Sequence, residues 1–118
     1  MHVLSDNQGR PLNGTNSFGE PITYAVTRFR HDGTLALMAV YNNPQGEEQS
    51  YPLSTNLAAY GYCPKPQYTF IDSAYLDTVK PLIVQGIVQV IDTVRYGQFN
   101  SAALQCELLI ENIDSIND

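Results

Sequence analysis

The segment PLIVQGIVQVIDTVRYG, residues 81–97, constrains the fold more than any other, because it can form either a strand or a helix. Its many valine and isoleucine residues favour a strand, whereas Pro81 at its start and Gly97 at its end are typical of helix boundaries. At about 100° per residue, its apolar side chains fall within an arc of about 160°, opposite the polar ones. At the strand period of two, glutamine and isoleucine side chains would share a face. The pattern therefore predicts a helix at about 78–96.

Alternating polar and apolar residues before this segment predict an antiparallel meander of three strands. The alternation covers residues near 22–26, 35–41 and 49–53, and these are separated by the turn sequences DG and NNPQG. An Asp-Gly pair tolerates positive φ and is a strong hairpin signal. A further alternating segment at residues 104–110 predicts a C-terminal strand.

Together these elements predict an α+β fold. It consists of an antiparallel four- or five-stranded sheet, formed by the N-terminal three-stranded meander and the C-terminal strand, with one main helix at about 78–96. A chain of 118 residues is enough for a single domain with one core. Residues 1–20 are rich in Asn and Gly and are expected to form a flexible arm, residues 21–112 the single α+β domain, and residues 113–118 an acidic tail that frays.

The charge balance argues against a nucleic-acid partner. The chain has a net charge of −6, with six basic residues and twelve acidic ones. A nucleic-acid-binding protein usually has a basic patch or stripe, so nucleic acid is not expected here. The acidity favours a basic protein partner, self-association, or simple solubility.

The sequence also indicates a cytoplasmic location. No apolar run reaches the ~18 residues that a membrane span needs, and the first residues lack the basic flank and apolar core of a signal peptide. The two cysteines, Cys63 and Cys106, do not form the framework of a secreted disulfide-rich protein. We therefore expect no membrane association.

Residues suited to catalysis or metal binding are few. The histidines are His2, in the expected arm, and His31, in a predicted turn. Glu47 and Glu48 are strand neighbours, so they would point to opposite faces and make a poor acid–base pair. Neither CxxC nor HExxH occurs, so a zinc site has no support. The sequence thus predicts no enzyme activity, no cofactor and no metal.

Aromatic residues give the clearest indication of a binding site. The chain contains eight Tyr and no Trp. Tyr60 and Tyr62 lie with Leu57 in the predicted surface loop at residues 54–67, and tyrosine supplies rigid contact area at interfaces. We predict that these residues bind a partner, or alternatively that both rings close the core. Glu47 and Glu48 are predicted to form a separate charged contact with the partner.

Four segments resemble a family of small, uncharacterised accessory proteins of phages, plasmids and integrative elements. They are DGTLAL (32–37), GEEQSYPLSTNL (46–57), FID (70–72) and YGQFNSAALQCEL (96–108). The resemblance implies a mobile-element context, hence the cytoplasm of a host cell or a virion, and it implies no catalytic residues. Small acidic proteins in that context often bind and block a host defence complex.

Three hypotheses about function follow. The first is a non-enzymatic protein-binding accessory factor of a phage or mobile element, such as an anti-defence inhibitor. The second is a single-stranded nucleic-acid-binding domain of the OB type, with a short helix at 73–80 and a strand at 82–94. The third is a structural component of a virion, in the decoration or the tail.

Overall fold

A computed structural model of the protein describes residues 1–111 and 113–116. Within these residues the chain forms eight strands, one α-helix and three short 3-10 turns. The strands are β1 (His2–Val3), β2 (Asn13–Thr15), β3 (Pro21–Arg28), β4 (Leu35–Asn42), β5 (Glu48–Pro52), β6 (Tyr68–Asp72), β7 (Val88–Tyr96) and β8 (Ser101–Leu108). The helix is α1 (Leu76–Val84), and the 3-10 turns are Ala58–Tyr60, Ser73–Tyr75 and Ile113–Ser115.

The first sheet is built around β3. Strands β1, β2 and β4 all pair with β3, and β5 pairs with β4, in every case antiparallel. The predicted meander is therefore confirmed as β3–β4–β5, with Val26 opposite Leu37 and Ala39 opposite Tyr51.

Three hairpin loops of the described chain share one five-residue design. Their sequences are DNQGR (6–10), NSFGE (16–20) and NPQGE (43–47). In each loop the side chain of the first residue, Asp or Asn, accepts hydrogen bonds from the backbone N–H groups of the third and fifth residues, at 2.8–3.0 Å. The fourth residue is a glycine with φ near +80°, a conformation that a residue with a side chain rarely adopts. The side chains of the first and fifth residues also form a hydrogen bond with each other.

The second sheet has the strand order β6–β8–β7 and is also antiparallel. Two buried hydroxyls connect it to the first sheet. The Thr69 hydroxyl on β6 donates to the Leu35 carbonyl at 2.9 Å and lies 2.7 Å from the hydroxyl oxygen of Ser54, which accepts from the Leu37 N–H. The main core combines buried side chains of both sheets and α1, including Tyr24, Leu37, Leu53, Ile71, Leu82 and Leu108.

The α+β class, the antiparallel pairing and a single main helix in the described residues are confirmed. The predicted end of the helix is wrong, because α1 stops at Val84 and residues 88–96 form strand β7. Gly86, with φ +74°, ends the helix. The Gly86 N–H bonds to the Ile83 carbonyl and the Ile87 N–H to the Leu82 carbonyl, which is the Schellman arrangement of a helix C-terminus.

The two ends of the predicted helix therefore have other roles. Pro81 lies inside α1 rather than at its first position. Gly97 lies in the turn of the β7–β8 hairpin, with φ +74°. The sequence also predicts that the C-terminal strand joins the sheet of the meander, whereas β8 pairs with β6 and β7 in a second sheet. The OB-type hypothesis, with a helix at 73–80 and a strand at 82–94, is closer to the secondary structure observed between residues 73 and 96.

The chain ends also differ from the prediction. Residues 1–20 form hairpins rather than an arm, and Leu4 and Leu12 are buried in the main core. In the predicted acidic tail, 113–118, Ile113 and Ile116 are buried as well, and the Arg28 guanidinium donates to both of their carbonyl oxygens. The last two positions of that tail lie outside the described residues. No helix among the described residues is long and apolar enough to cross a membrane.

Candidate functional site

Two of the predicted partner-binding residues hold the loop before β6 onto the second sheet. Leu57 is only 2% exposed and forms a small secondary core with Phe70 and Ala103. Tyr62 is half-buried against this core; its ring meets the ring of Phe70 edge-on at 5.6 Å, and its hydroxyl donates to the Arg95 carbonyl at 2.8 Å. Leu57 is therefore not available to a partner, and Tyr62 has a structural role.

Tyr60 lies on the surface, as predicted, with 54% of its area exposed. Its ring is 5.2 Å from the ring of Tyr96 and lies over Gly97. Tyr96 ends strand β7, and at the turn between β7 and β8 Phe99 is 84% exposed. We call Tyr60, Tyr96 and Phe99 the hairpin ridge. Phe99 was not a predicted site residue, because a helix at 78–96 excludes the β7–β8 hairpin whose turn exposes this ring.

The predicted acidic contact lies on the first sheet and not beside the loop tyrosines. Glu47 closes the 43–47 loop, where its carboxylate accepts from the Asn43 amide at 3.4 Å. Glu48 begins β5 and lines a cleft of about 320 Å³ together with Tyr41 and Glu20. We call this the acidic cleft. Glu48 lines the cleft and Glu47 does not, so only Glu48 can act there together with Glu20.

A cluster of three tyrosines next to the acidic cleft was not predicted as a site. The rings of Tyr41 and Tyr51 are 5.9 Å apart and tilted by 59°, and those of Tyr51 and Tyr75 are 6.1 Å apart and tilted by 42°. All three are half-buried. With Glu20 and Phe18, which is 86% exposed, they line a cavity of about 260 Å³. We call this cavity the tyrosine cup.

The register of the β4–β5 hairpin brings the first two tyrosines together. Tyr41 pairs with Gln49, and Ala39 pairs with Tyr51, so the two rings are diagonal neighbours on one face of the sheet. Tyr75 reaches them from the 3-10 turn before α1. The sequence signal for the first pair was the turn sequence itself, since the length of the loop fixes the register of a hairpin.

The electrostatic environment of the cup disfavours added negative charge. The pKa of Tyr51 is raised, first by burial and then by the neighbouring Tyr75 and Tyr41 hydroxyls and the Glu20 carboxylate. Glu20 accepts a hydrogen bond from the Asn16 amide at 3.1 Å, which fixes its carboxylate at the rim. A cation in the cup would be attracted both by this carboxylate and by the ring faces.

The groups suited to acid–base or thiol chemistry lie elsewhere. His2 and His31 are exposed. Cys106 is buried, which raises the pKa of its thiol to about 12, and Cys63 is exposed; both are free. Within residues 1–111 and 113–116, no group of three or more His, Cys, Asp or Glu side chains is placed to hold a metal ion.

Comparisons of the chain with protein-family models, with curated proteins and with solved structures find no match.

Proposed function

We propose that the protein is a non-enzymatic protein-binding accessory factor of a phage or other mobile element, acting in the host-cell cytoplasm. We further propose that a basic partner protein docks on the tyrosine cup and the acidic cleft. One observation supports this most: clustered tyrosine rings and two carboxylates, those of Glu20 and Glu48, share one surface of the first sheet.

The cup and the cleft form a continuous surface because Tyr41 and Glu20 line both. Half-buried tyrosines lose little side-chain entropy on binding and offer both apolar area and a hydroxyl, which is why tyrosine is enriched at interface centres. The carboxylates complement a basic partner, and the net charge of −6 would steer such a partner towards the protein.

The position of the groups with strongly raised pKa values supports a binding role over an enzymatic one. The groups with strongly raised pKa values, Tyr24 and Cys106, lie in the main core, and burial is the first cause of both shifts. The shifts thus follow from packing rather than from a surface site. The mobile-element context, with inhibition of a host defence complex as the activity, rests on the resemblance of the four segments between residues 32 and 108.

Site-specific photocrosslinking in the expressing cell tests the docking surface. A benzophenone amino acid is placed at Phe18, the most exposed aromatic residue of the cup lining, or at Phe99, on the hairpin ridge. These two positions are almost equally exposed, so they differ in place and not in access. We expect protein adducts from position 18 and not from position 99, and we expect Glu20→Gln combined with Glu48→Gln to reduce them.

Other outcomes would overturn the proposal. Adducts that are equally abundant when both carboxylates are neutralised would show that charge does not recruit the partner. Adducts made only of two copies of this chain would replace a foreign partner with self-association. Adducts from position 99 alone would move the docking surface to the hairpin ridge.

A further inference from the structure

The tyrosine cup is lined mainly by aromatic rings, which distinguishes it from the acidic cleft beside it, where Tyr41 is the one aromatic residue of the lining. Tyr41, Tyr51 and Tyr75 form successive walls, tilted relative to their neighbours by 59° and 42°. Phe18 and Glu20, both in the 16–20 loop, complete the lining. A concave aromatic surface with one carboxylate at its edge is suited to a single small group rather than to a flat protein surface.

The chemistry of the walls favours a cation. The face of an aromatic ring carries partial negative charge, and a cation within about 6 Å of the ring centroid is attracted to it. Several rings around one cavity add their attractions, and the Glu20 carboxylate supplies a full opposite charge. Burial is the first cause of the raised pKa of Tyr51, and the Tyr75 and Tyr41 hydroxyls and the Glu20 carboxylate raise this pKa further, as expected where nearby groups repel an added negative charge.

The shape of the cup distinguishes between the guanidinium group of arginine and the ammonium group of lysine. A guanidinium is planar and stacks flat on one ring or between parallel rings. The rings here are tilted, so a flat group could lie against one wall only. An ammonium group is compact and can contact the tilted walls together while its donors face the carboxylate.

We infer that the tyrosine cup receives the ammonium group of a lysine side chain from the basic partner. This inference rests on the proposed function and assigns the cup its ligand class. Tyr41, Tyr51 and Tyr75 would surround the ammonium group, and Glu20 would balance its charge at the rim.

The chain contains a matched control for Glu20. Glu20 and Glu47 occupy the fifth position of loops with the same hydrogen bonds, and each carboxylate accepts from the amide of the Asn at the first position, at 3.1 and 3.4 Å. Glu20 lines the cup, whereas Glu47 lies outside the residues that line it. Replacing either by Gln therefore removes one charge at equivalent loop positions, and the cup should respond to only one of them.

Binding of n-butylammonium, which has the end group of a lysine side chain, tests the assignment. The ring resonances of the tyrosines are followed by NMR as the probe is added, with N-butylguanidinium and tetramethylammonium as comparisons. We expect saturable shifts with n-butylammonium, and a dissociation constant about two- to five-fold higher in Tyr51→Leu. Glu20→Gln should weaken binding by up to about five-fold and Glu47→Gln should not.

The outcomes separate this inference from the proposed function. No saturable shift, equal effects of Glu20→Gln and Glu47→Gln, or tighter binding of N-butylguanidinium would overturn the ammonium assignment. Tighter binding of tetramethylammonium would overturn an unmodified lysine in favour of a methylated ammonium. If n-butylammonium binds as expected but Tyr51→Leu leaves photocrosslinking at position 18 unchanged, the cup binds the ammonium class but does not recruit the partner. If photocrosslinking depends on Glu48 and not on Tyr51, the docking surface stands and the lysine assignment fails.

Discussion

The hydroxyl of Tyr24 donates a 2.6 Å hydrogen bond to the carbonyl oxygen of Thr78 and so joins β3 of the first sheet to α1. Tyr24 is fully buried. Gly14 on β2 lies so close to the phenol group that a β-carbon at this position would overlap the hydroxyl oxygen. Three elements, β2, β3 and α1, therefore meet at one hydroxyl, and the absence of a side chain at residue 14 makes the contact possible.

Gly14→Ala should destabilise the fold by about 1–3 kcal/mol, because the new methyl group forces a buried ring or strand β2 to move. The backbone at Gly14 is not in the left-handed region, so the cost arises from overlap rather than from φ. Urea denaturation of the variant and the parent protein measures this difference.

A double-mutant cycle identifies the atom responsible. Tyr24→Phe removes the overlapped oxygen and should cost about 1 kcal/mol for the lost hydrogen bond. In that background, Gly14→Ala should cost clearly less than in the parent protein. An equal cost in both backgrounds would show that the hydroxyl of Tyr24 is not what excludes a side chain at residue 14.

Stability should fall at alkaline pH. Burial raises the pKa of Tyr24 from 10.0 to about 12 and that of Cys106 from 9.0 to about 12. Both groups therefore keep their protons more tightly when folded, and the unfolded chain releases its protons first. The stability they contribute is complete below their unfolded values and is lost as the pH rises towards about 12. Denaturation at a series of pH values should show that the free energy of unfolding declines less steeply with pH in Tyr24→Phe than in the parent protein. An unchanged decline would show that Tyr24 does not contribute to this pH dependence.

The fold class and the meander could be predicted because they depend on local signals. The alternation in β3, β4 and β5 and the turn sequences between them lie within short stretches of sequence. The D/N-x-x-G pattern of the three equivalent loops was also local, and it would have shown that residues 1–20 form hairpins. The end of the helix was different, since the apolar residues after Gly86 fit a helical arc better than a strict alternation, which the bulge between Val90 and Asp92 of β7 interrupts. Pairing of β7 with β8, a tertiary contact, decides between them.

The candidate site could be predicted only in part. The exposure of Tyr60 and the open position of Glu48 agree with the loop and turn composition. The tyrosine cup depends on the register of the β4–β5 hairpin, which places Tyr41 and Tyr51 diagonally. It also depends on the 3-10 turn after β6, which carries Tyr75. The loop length indicates the register of the β4–β5 hairpin, but no local pattern connects this hairpin with the turn that carries Tyr75, so the cup as a whole could not be predicted.

A pair of isosteric substitutions tests where the helix ends. A helix through residue 96 would bury both Val84 and Val88, whereas in the structure Val88 is 1% exposed and Val84 is 77% exposed. Val88→Thr places a hydroxyl in the core and should cost about 1–3 kcal/mol. Val84→Thr should change stability by less than about 0.5 kcal/mol. Similar costs for the two variants, measured by urea denaturation, would support the longer helix.

Replacing the loop tyrosines one at a time separates a structural ring from an exposed one. The sequence alone predicts that Tyr60 and Tyr62 can both be replaced by Ala with little loss of stability. In the structure, Tyr62→Ala removes the edge-on contact with Phe70 and the bond to the Arg95 carbonyl, so we expect a loss of about 2 kcal/mol. Tyr60→Ala removes one exposed ring contact and should cost at most about 1 kcal/mol. Thermal unfolding of the two variants gives the comparison.

The same Tyr60→Ala variant also tests the hairpin ridge as an alternative docking surface. Because the proposed partner binds the first sheet, Tyr60→Ala should leave photocrosslinking from position 18 unchanged, whereas Tyr51→Leu should reduce it.

A labelled single-stranded oligonucleotide should show no measurable binding to either variant or to the parent protein at physiological ionic strength, since the chain has six basic residues against twelve acidic ones. Binding that Tyr60→Ala abolishes would instead identify the ridge as a base-stacking surface and favour the nucleic-acid hypothesis.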